Sequence, residues 1–598
     1  MLALVLCLPL LLSCADGETA VTIVKKGESE YVIVCPSGTD SESKAENSAA
    51  LRLFEGIRTK TDVSLERKSD AQIEETDGDT PPKEILVGAT NREESQKHKE
   101  GLRLKDYLIT FENDRVVILG GSAEATAEAV EYFLTDYINE TEKTVTVYKN
   151  RIDEKQYNYL LGDLTINGTP LSRYKIVYPA SAKGATDASL IAYYTAIALA
   201  DYLEQNGGLR LKVSDDAATE AEYEILIGTT NRTASQKVKG TKLNAGDYLL
   251  LTDGNKLVLW GDSYMVAGAA GALMNVHFKS QGMNVAIDAT DIPTTPTPKT
   301  FVFEKATSAI LMIGDGMGST HVDATLDSGK LTNFVARDLP YQSLCTTASQ
   351  SVLDKEKGYT DSAAAATALA TGYKTVNGYL GMDKNKTAQQ NVRELAHAMG
   401  AQTGVLTTDD ITGATPAGFL CHHNKRDDTS TLQKQINELT KNGEIDYCKG
   451  EVSTLSTHAR TALNQLALDN GDFFFMIEEA HIDKRSHEGN KSMSKMQDCV
   501  VRYNDCIAYV IAFVMLHPYT ALIITADHET GGLEKQQDGS YKFTNNTSAT
   551  YWQHTNNNAP IFALGYGVET LVQSGVVTDN TLVAKHIASI FGANNFGQ

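Results

Sequence analysis

The chain has 598 residues, more than one hydrophobic core can hold, and at roughly 150 residues per domain it predicts about four units. With 42% hydrophobic and 22% charged residues it is neither disordered nor collagen-like. Its 54 Lys and Arg against 76 Asp and Glu leave a net charge of −22, which excludes specific nucleic-acid binding through a basic face but not the capture of small anions by a local cluster of metal cations.

The opening MLALVLCLPLLLSCAD is apolar and too short to span a bilayer, so residues 1–14 read as a secretory signal. Leu11-Leu12-Ser13-Cys14 resembles a bacterial lipobox, although no Lys or Arg precedes the apolar run. Acylation of Cys14 would tether an otherwise soluble chain to a membrane; plain secretion is the alternative, and either way the expected location is extracytoplasmic. No later run of 18 or more apolar residues predicts a transmembrane helix. Eight cysteines are too few for a disulfide scaffold of this size, and no CxxC pair predicts a thiolate zinc site. Cys499 and Cys506 fall on one predicted helix, roughly 10.5 Å apart at 1.5 Å per residue, beyond disulfide reach.

Two segments repeat each other. The first holds Glu84-Ile85-Leu86-Val87-Gly88, Thr90-Asn91-Arg92, Ser95-Gln96-Lys97, Asp106-Tyr107 and a strand ending at Gly120. The second holds Glu224-Ile225-Leu226-Ile227-Gly228, Thr230-Asn231-Arg232, Ser235-Gln236-Lys237, Asp247-Tyr248 and a strand ending at Gly261. Each opens with a β run (YVIVCP at Tyr31, YKIVYP at Tyr174), followed by helix-period and further strand patterns. Residues 15–152 and 153–290 are therefore predicted as two small α/β modules. They are loosely similar to accessory α/β domains of bacterial glycoside hydrolases, for which a cell-surface or glycan ligand is the expectation. The Thr-Asn-Arg triplets read first as a structural turn, because a polar residue after a strand and Gly caps the next helix. The prolines in 291–300 predict a stiff linker.

From residue 301 the pattern changes to near-continuous apolar runs that stop in polar or Gly residues: ATSAILMIGDG, TGVLTTDD, DFFFMIEEAHID, TALIITADHET and APIFALGYG. Such runs predict a mostly parallel sheet buried on both faces, with the ligand site beyond its carboxyl ends. Asp315, Glu478, Asp483, Asp527 and His528 stand at those ends. Carboxylates that close repel one another unless cations hold them, so a metal site with more than one ion is expected. His487, four residues after Asp483, and His554 are further candidate ligands. Ser362 precedes an alanine run closed by Gly372, which places it at a helix N-terminus, where free N–H groups favour an anion.

The motifs Ile313-Gly314-Asp315-Gly316-Met317-Gly318, Thr360-Asp361-Ser362-Ala363-Ala364, Ala414-Thr415-Pro416-Ala417, Ile482-Asp483-Lys484 with His487, Thr525-Ala526-Asp527-His528 and His554-Thr555 occur in this order over 301–598. Together they resemble the metal-dependent alkaline phosphatases. The resemblance implies an α/β sandwich with a central, mostly parallel sheet flanked by helices, and hydrolysis of phosphate monoesters through a phosphoserine intermediate at a two-zinc, one-magnesium centre. It implies Ser362 as nucleophile, one zinc at Asp483, His487 and His554, and the other at Asp315, Asp527 and His528. Magnesium would take Asp315, Thr415 and Glu478. Arg426 would grip phosphate, Asp361 would orient that region, and Lys484 would contact phosphate through water.

Two departures from the family pattern stand out. Position 413 is Gly, where members commonly carry Asp or His close to the magnesium, and only residues 427–477 separate Arg426 from Glu478, which implies a more open pocket. A phosphodiesterase or sulfatase of the same superfamily is the alternative; Ser362, Thr415 and Glu478 favour monoesters. The expected partners are small phosphorylated metabolites and, by resemblance, a second copy in a homodimer, with a membrane reached only through an N-terminal lipid.

Overall fold

The computed structural model describes residues 19–597 apart from 26, 73–81, 100, 150 and 549. The signal and lipobox at 1–14 lie outside the described residues. The chain divides into two compact units, Met1–Tyr159 with Gly207–Leu209, and Leu160–Asn206 with Arg210–Gln598.

The internal repeat is visible in strand order. The sheet of the first unit runs Glu66–Ser69, Val32–Cys35, Glu84–Val87, Arg115–Gly120, Tyr107–Glu112, Ile152–Lys155. The second unit begins with a sheet ordered Val213–Asp215, Lys175–Tyr178, Glu224–Ile227, Lys256–Gly261, Asp247–Asp253, Lys299–Thr300. In both, the first three pairings are parallel and the last two antiparallel.

The Thr-Asn-Arg triplets are spent on the fold. Arg92 is buried and donates to Glu84 from Nε at 3.0 Å and from Nη2 at 2.9 Å; Arg232 repeats the pair with Glu224 at 3.1 and 3.2 Å. The Asn91 and Asn231 N–H groups donate to Asp70 and Asp216, and the Thr90 and Thr230 hydroxyls lie 2.8 and 2.7 Å from those of Ser95 and Ser235. The motif ties a strand to the following helix, and it does so twice.

The stretch 291–300 differs from the expected linker. Its end, Lys299–Thr300, is the edge strand of the second repeat's sheet, and the Pro293 carbonyl accepts the Thr252 N–H at 2.9 Å. The second repeat and the C-terminal region are one unit because an apolar surface joins them. All eight residues of helix Met265–Ala272 are buried, and the helix packs on Met493–Leu516. The approach is so close that a Cβ on Gly271 would stand 2.0 Å from the Met515 carbonyl oxygen. Arg460 adds a bidentate pair to Asp201 at 2.6 and 2.5 Å.

The C-terminal region is built on eight strands: β1 Ser308–Gly314, β2 Tyr341–Thr346, β3 Gln402–Thr407, β4 Tyr447–Lys449, β5 Phe473–Glu479, β6 Thr520–Thr525, β7 Ala559–Leu564 and β8 Thr578–Asp579. Their order is β4-β3-β5-β1-β6-β7-β2-β8. The first five are mutually parallel, and four of them are runs that the sequence marks or extends. The fifth apolar run, β7, is antiparallel to both neighbours. It arrives from the hairpin loops 529–558 without a crossover helix, which parallel pairing would require. Helices Ser362–Thr371, Val392–Ala398, Ala414–Leu420 and Asn580–Ile590 share the core on one face of the sheet, and Met493–Leu516 packs on the other. The segment Gly489–Leu516 is long and apolar enough to cross a membrane, but 83% of its apolar window is buried inside the protein. Cys499 and Cys506 on this helix are both free.

Glu224→Ala leaves the buried Arg232 guanidinium without its carboxylate partner. We expect a loss of about 3–5 kcal/mol of stability. Urea unfolding of the full chain measures it, and an unchanged midpoint would contradict the structural role of the triplet.

Candidate metal centre and active site

Strand register brings the acids together. Ile313 is paired with Glu478 on one side and Thr525 on the other, and Thr407 is paired with Glu478. The residues that follow β1 and β6 therefore emerge at one edge of the sheet, next to the end of β5. Asp315 follows β1 at a tight turn in which Gly316 has φ +72° and donates its N–H to Asp527 Oδ1 at 3.1 Å. A side chain at 316 would run into Asp483, whose Cα lies 2.9 Å from the Cβ position. Asp483 and His487 sit one turn apart on the helix His481–His487, with His487 Nε2 3.2 Å from Asp483 Oδ2.

The imidazoles are oriented by their other nitrogens. His554 Nδ1 is 2.9 Å from the Thr360 carbonyl, which turns Nε2 towards Asp483 Oδ1 at 3.5 Å and His487 Nε2 at 3.1 Å. His487 Nδ1 faces the Trp552 carbonyl, and His528 Nδ1 faces Thr530 Oγ1 at 3.2 Å. Fixing one ring nitrogen presents the other as a ligand. Asp315, Asp527 and His528 offer three atoms within 4.8 Å of one another, and so do Asp483, His528 and His554.

These groups fit metal ions on grounds of charge. Asp315 Oδ1 and Asp527 Oδ2 are buried and accept no hydrogen bond among the described residues. Burial and the neighbouring Asp527 and Asp483 carboxylates hold the Asp315 carboxyl well above its ordinary range, and burial pushes Asp527 up to about 6. Burial also pushes Glu478 up to about 8. Burial followed by the charge of His554 holds His528 well below its usual value, so it stays neutral and able to ligate. Asp483 moves the other way: burial opposes ionisation, but the His487 and His554 hydrogen bonds prevail and keep it ionised. Without cations the remaining acids could not all be charged; with them, each orphaned oxygen gains a partner.

The third predicted set is also gathered. Thr415, at the start of helix Ala414–Leu420, lies 3.4 Å from Asp315 Oδ2, and Glu478 receives the Thr407 hydroxyl. Glu479, one residue on, points to the opposite face as strand geometry demands, and pairs with Arg502 at 2.5 and 2.6 Å.

Ser362 is the first residue of the ten-residue helix Ser362–Thr371, which Gly372 closes in the left-handed conformation. The cap itself is Asp361, whose Oδ1 accepts the Ala364 N–H at 3.0 Å. This leaves the serine hydroxyl free of capping, 3.2 Å from His528 Nε2. Asp361 Oδ2 accepts from Arg426 Nη1 at 3.2 Å, so the same carboxylate that caps the helix orients the guanidinium beside it. A cavity of about 680 Å³ opens at this point, with Lys357, Tyr359, Asn424, Lys425, Arg426 and Asp427 in its wall.

Eleven of the twelve residues singled out from the sequence face this centre. The twelfth, Lys484, is at its margin, with Nζ paired to Asp409. Several contributors had gone unnoticed. Thr407 ends β3 and was detectable by the same strand-end rule that found Glu478. Thr530 donates to Asp483 Oδ1, two residues beyond the Asp-His pair. Tyr551 stacks on His487 with ring centroids 4.5 Å apart, and no sequence signal marks it.

A sequence profile described as alkaline phosphatase matches residues 306–454 and 438–573. Alkaline phosphatase 3 of Bacillus subtilis is 27% identical over 299 residues, covering 40% of this chain and 64% of the relative. Alkaline phosphatase 4 of the same organism is 28% identical, covering 38% of this chain and 62% of its own length. The chain thus spans a little under two thirds of the length of these relatives. A solved alkaline phosphatase from the Antarctic bacterium TAB5 aligns with 48% of this chain and 99% of its own, at 23% identity and a TM-score of 0.42. Through residues 306–573, the chain is a member of the alkaline phosphatase superfamily.

Proposed function

We propose that the chain hydrolyses phosphate monoesters of small metabolites outside the cytoplasm, with Ser362 as the nucleophile. The observation that carries this reading is the Ser362 hydroxyl, uncapped and 3.2 Å from His528, between two histidine–carboxylate sets and beside Arg426. The mixed oxygen and nitrogen sets suit zinc, with His487 joining Asp483 and His554; the oxygen donors of Asp315, Thr415 and Glu478 suit magnesium. When bound, these ions would supply Lewis-acid activation of the serine hydroxyl and neutralise charge on the phosphate and the departing alcohol.

The chain's own groups do the rest. Ser362 Oγ forms a bond to phosphorus as the ester oxygen leaves with a proton as free alcohol; water then releases orthophosphate and restores the hydroxyl. The N-terminal N–H groups of helix Ser362–Thr371 and its dipole face the transferring group. Arg426 can hold two phosphate oxygens with its planar fork, a geometry that lysine cannot reproduce. Asp361 limits its rotation, so orientation is set before substrate arrives. Lys484, paired with Asp409 at the margin of the centre, would contact phosphate through water.

Ser362→Ala is expected to lower steady-state turnover of an aryl phosphate by at least about 10⁴-fold while metal content per chain is unchanged. Unchanged turnover would remove Ser362 from its role. Arg426→Ala is expected to cost about 10²–10³-fold in kcat/KM, read against aryl phosphate, diaryl phosphate and aryl sulfate. Faster turnover of the diester or the sulfate by the parent enzyme would replace the monoester reading. Dialysis against a chelator should abolish activity and lower the melting temperature; metal at a hundred times its Kd restores about 2.7 kcal/mol. A chelator-insensitive enzyme contradicts the metal centre.

A further inference from the structure

Gly413 precedes Thr415 at the start of helix Ala414–Leu420, with φ −53° and ψ 157°, a conformation open to any residue. The backbone therefore gives no reason for glycine here. Space does. A Cβ at this position would stand 2.8 Å from Asp409 Oδ2 and 2.9 Å from the Asp410 carbonyl oxygen. The room that a side chain at 413 would take is filled by the carboxylate of Asp409, which arrives from the end of β3, four residues earlier.

Three further contacts tie Asp409 to the centre. Its N–H donates to Thr407 Oγ1 at 2.9 Å, and that hydroxyl in turn donates to Glu478 Oε2. Its carboxylate pairs with Lys484 Nζ, on the residue that follows Asp483. Its carbonyl accepts the Glu451 N–H at 2.6 Å, which pins the loop from outside. The loop thus forms a second layer around Glu478, and the Asp409–Lys484 ion pair reaches the helix that carries Asp483 and His487.

We propose that Asp409 is the positioning residue of the third-metal pocket formed by Asp315, Thr415 and Glu478: its carboxylate occupies the space that Gly413 leaves beside Thr415 and holds the Lys484 ammonium at the margin of the centre. The assignment rests on the metal-centre reading above. Asp409 touches no reacting atom; its carboxylate acts through Lys484, while its backbone N–H supports the Thr407 bond to Glu478. Groups of this kind fix the orientation of ligands, and their loss typically lowers metal affinity about 10–100-fold.

The test is Mg²⁺ binding to the zinc-loaded full chain, followed by calorimetry and by the Mg²⁺ dependence of the melting temperature, so that it does not depend on turnover. Asp409→Ala should weaken Mg²⁺ about 10–100-fold, with zinc content unchanged. Asp409→Asn, which keeps the shape beside Gly413 but loses the charge, should weaken it in the same direction and serves if the alanine variant takes up no zinc. Parental Mg²⁺ affinity in both Asp409 variants would overturn the proposal, as would a parent that takes up no Mg²⁺. Intact Mg²⁺ linkage in a protein inactive on monoesters would instead overturn the proposed function and leave Asp409 in place.

Discussion

Asp315, Asp483, Asp527 and Glu478 are buried side by side at the carboxyl edge of one sheet, and their mutual repulsion is the constraint around which the rest of the centre is arranged. Buried like charges raise one another's pKa, so a protein can keep such a group only by protonating part of it or by placing cations within it. Three histidines stand among these acids with one ring nitrogen already committed to a carbonyl or hydroxyl. Two carboxylate oxygens accept no hydrogen bond among the described residues. That donor set makes sense as a cage for divalent ions and makes poor sense as a self-contained hydrogen-bond network.

The rest of the C-terminal region keeps that cage in register. Five parallel strands present their ends at one edge, so residues more than two hundred positions apart, such as Asp315 and Asp527, meet by pairing alone. The capping carboxylate Asp361 performs two tasks at once, closing the helix that bears Ser362 and steering Arg426. Economy of this kind also marks the repeats, where one Arg–Glu pair locks a turn in each copy. The second repeat adds something else: its glycine-containing helix lies against the apolar face of Met493–Leu516, so a helix apolar enough for a bilayer is satisfied inside the protein instead.

The order of apolar runs, four of the five ending in acids, made the sheet and its active edge legible before any coordinates, because buried parallel strands need uninterrupted apolar sequence and polar groups can appear only where they end. The choice of Glu478 over Glu479 also follows from strand alternation. The duplicated strand order was legible from repeated motifs, and the free Cys499 and Cys506 from helical rise. What sequence could not settle was anything fixed by packing between distant segments. The proline-rich stretch 291–300 has a linker's composition, yet its last residues complete a sheet, since an open edge strand offers hydrogen bonds that composition does not reveal. The direction of β7 escaped for the same reason: an apolar run has no sign.

Position 413 shows the division most clearly. Read along the chain, a glycine there is a missing side chain. In three dimensions the space is taken by Asp409, because a carboxylate can enter a pocket from any strand end that reaches it. The sequence by itself determined which residue types gather at the sheet edge and that the group they form suits divalent cations, since charge and periodicity are local properties of the chain. Only the tertiary structure decided which oxygen faces which nitrogen and which residue fills a given gap, since those depend on distances between segments that have no contact in sequence.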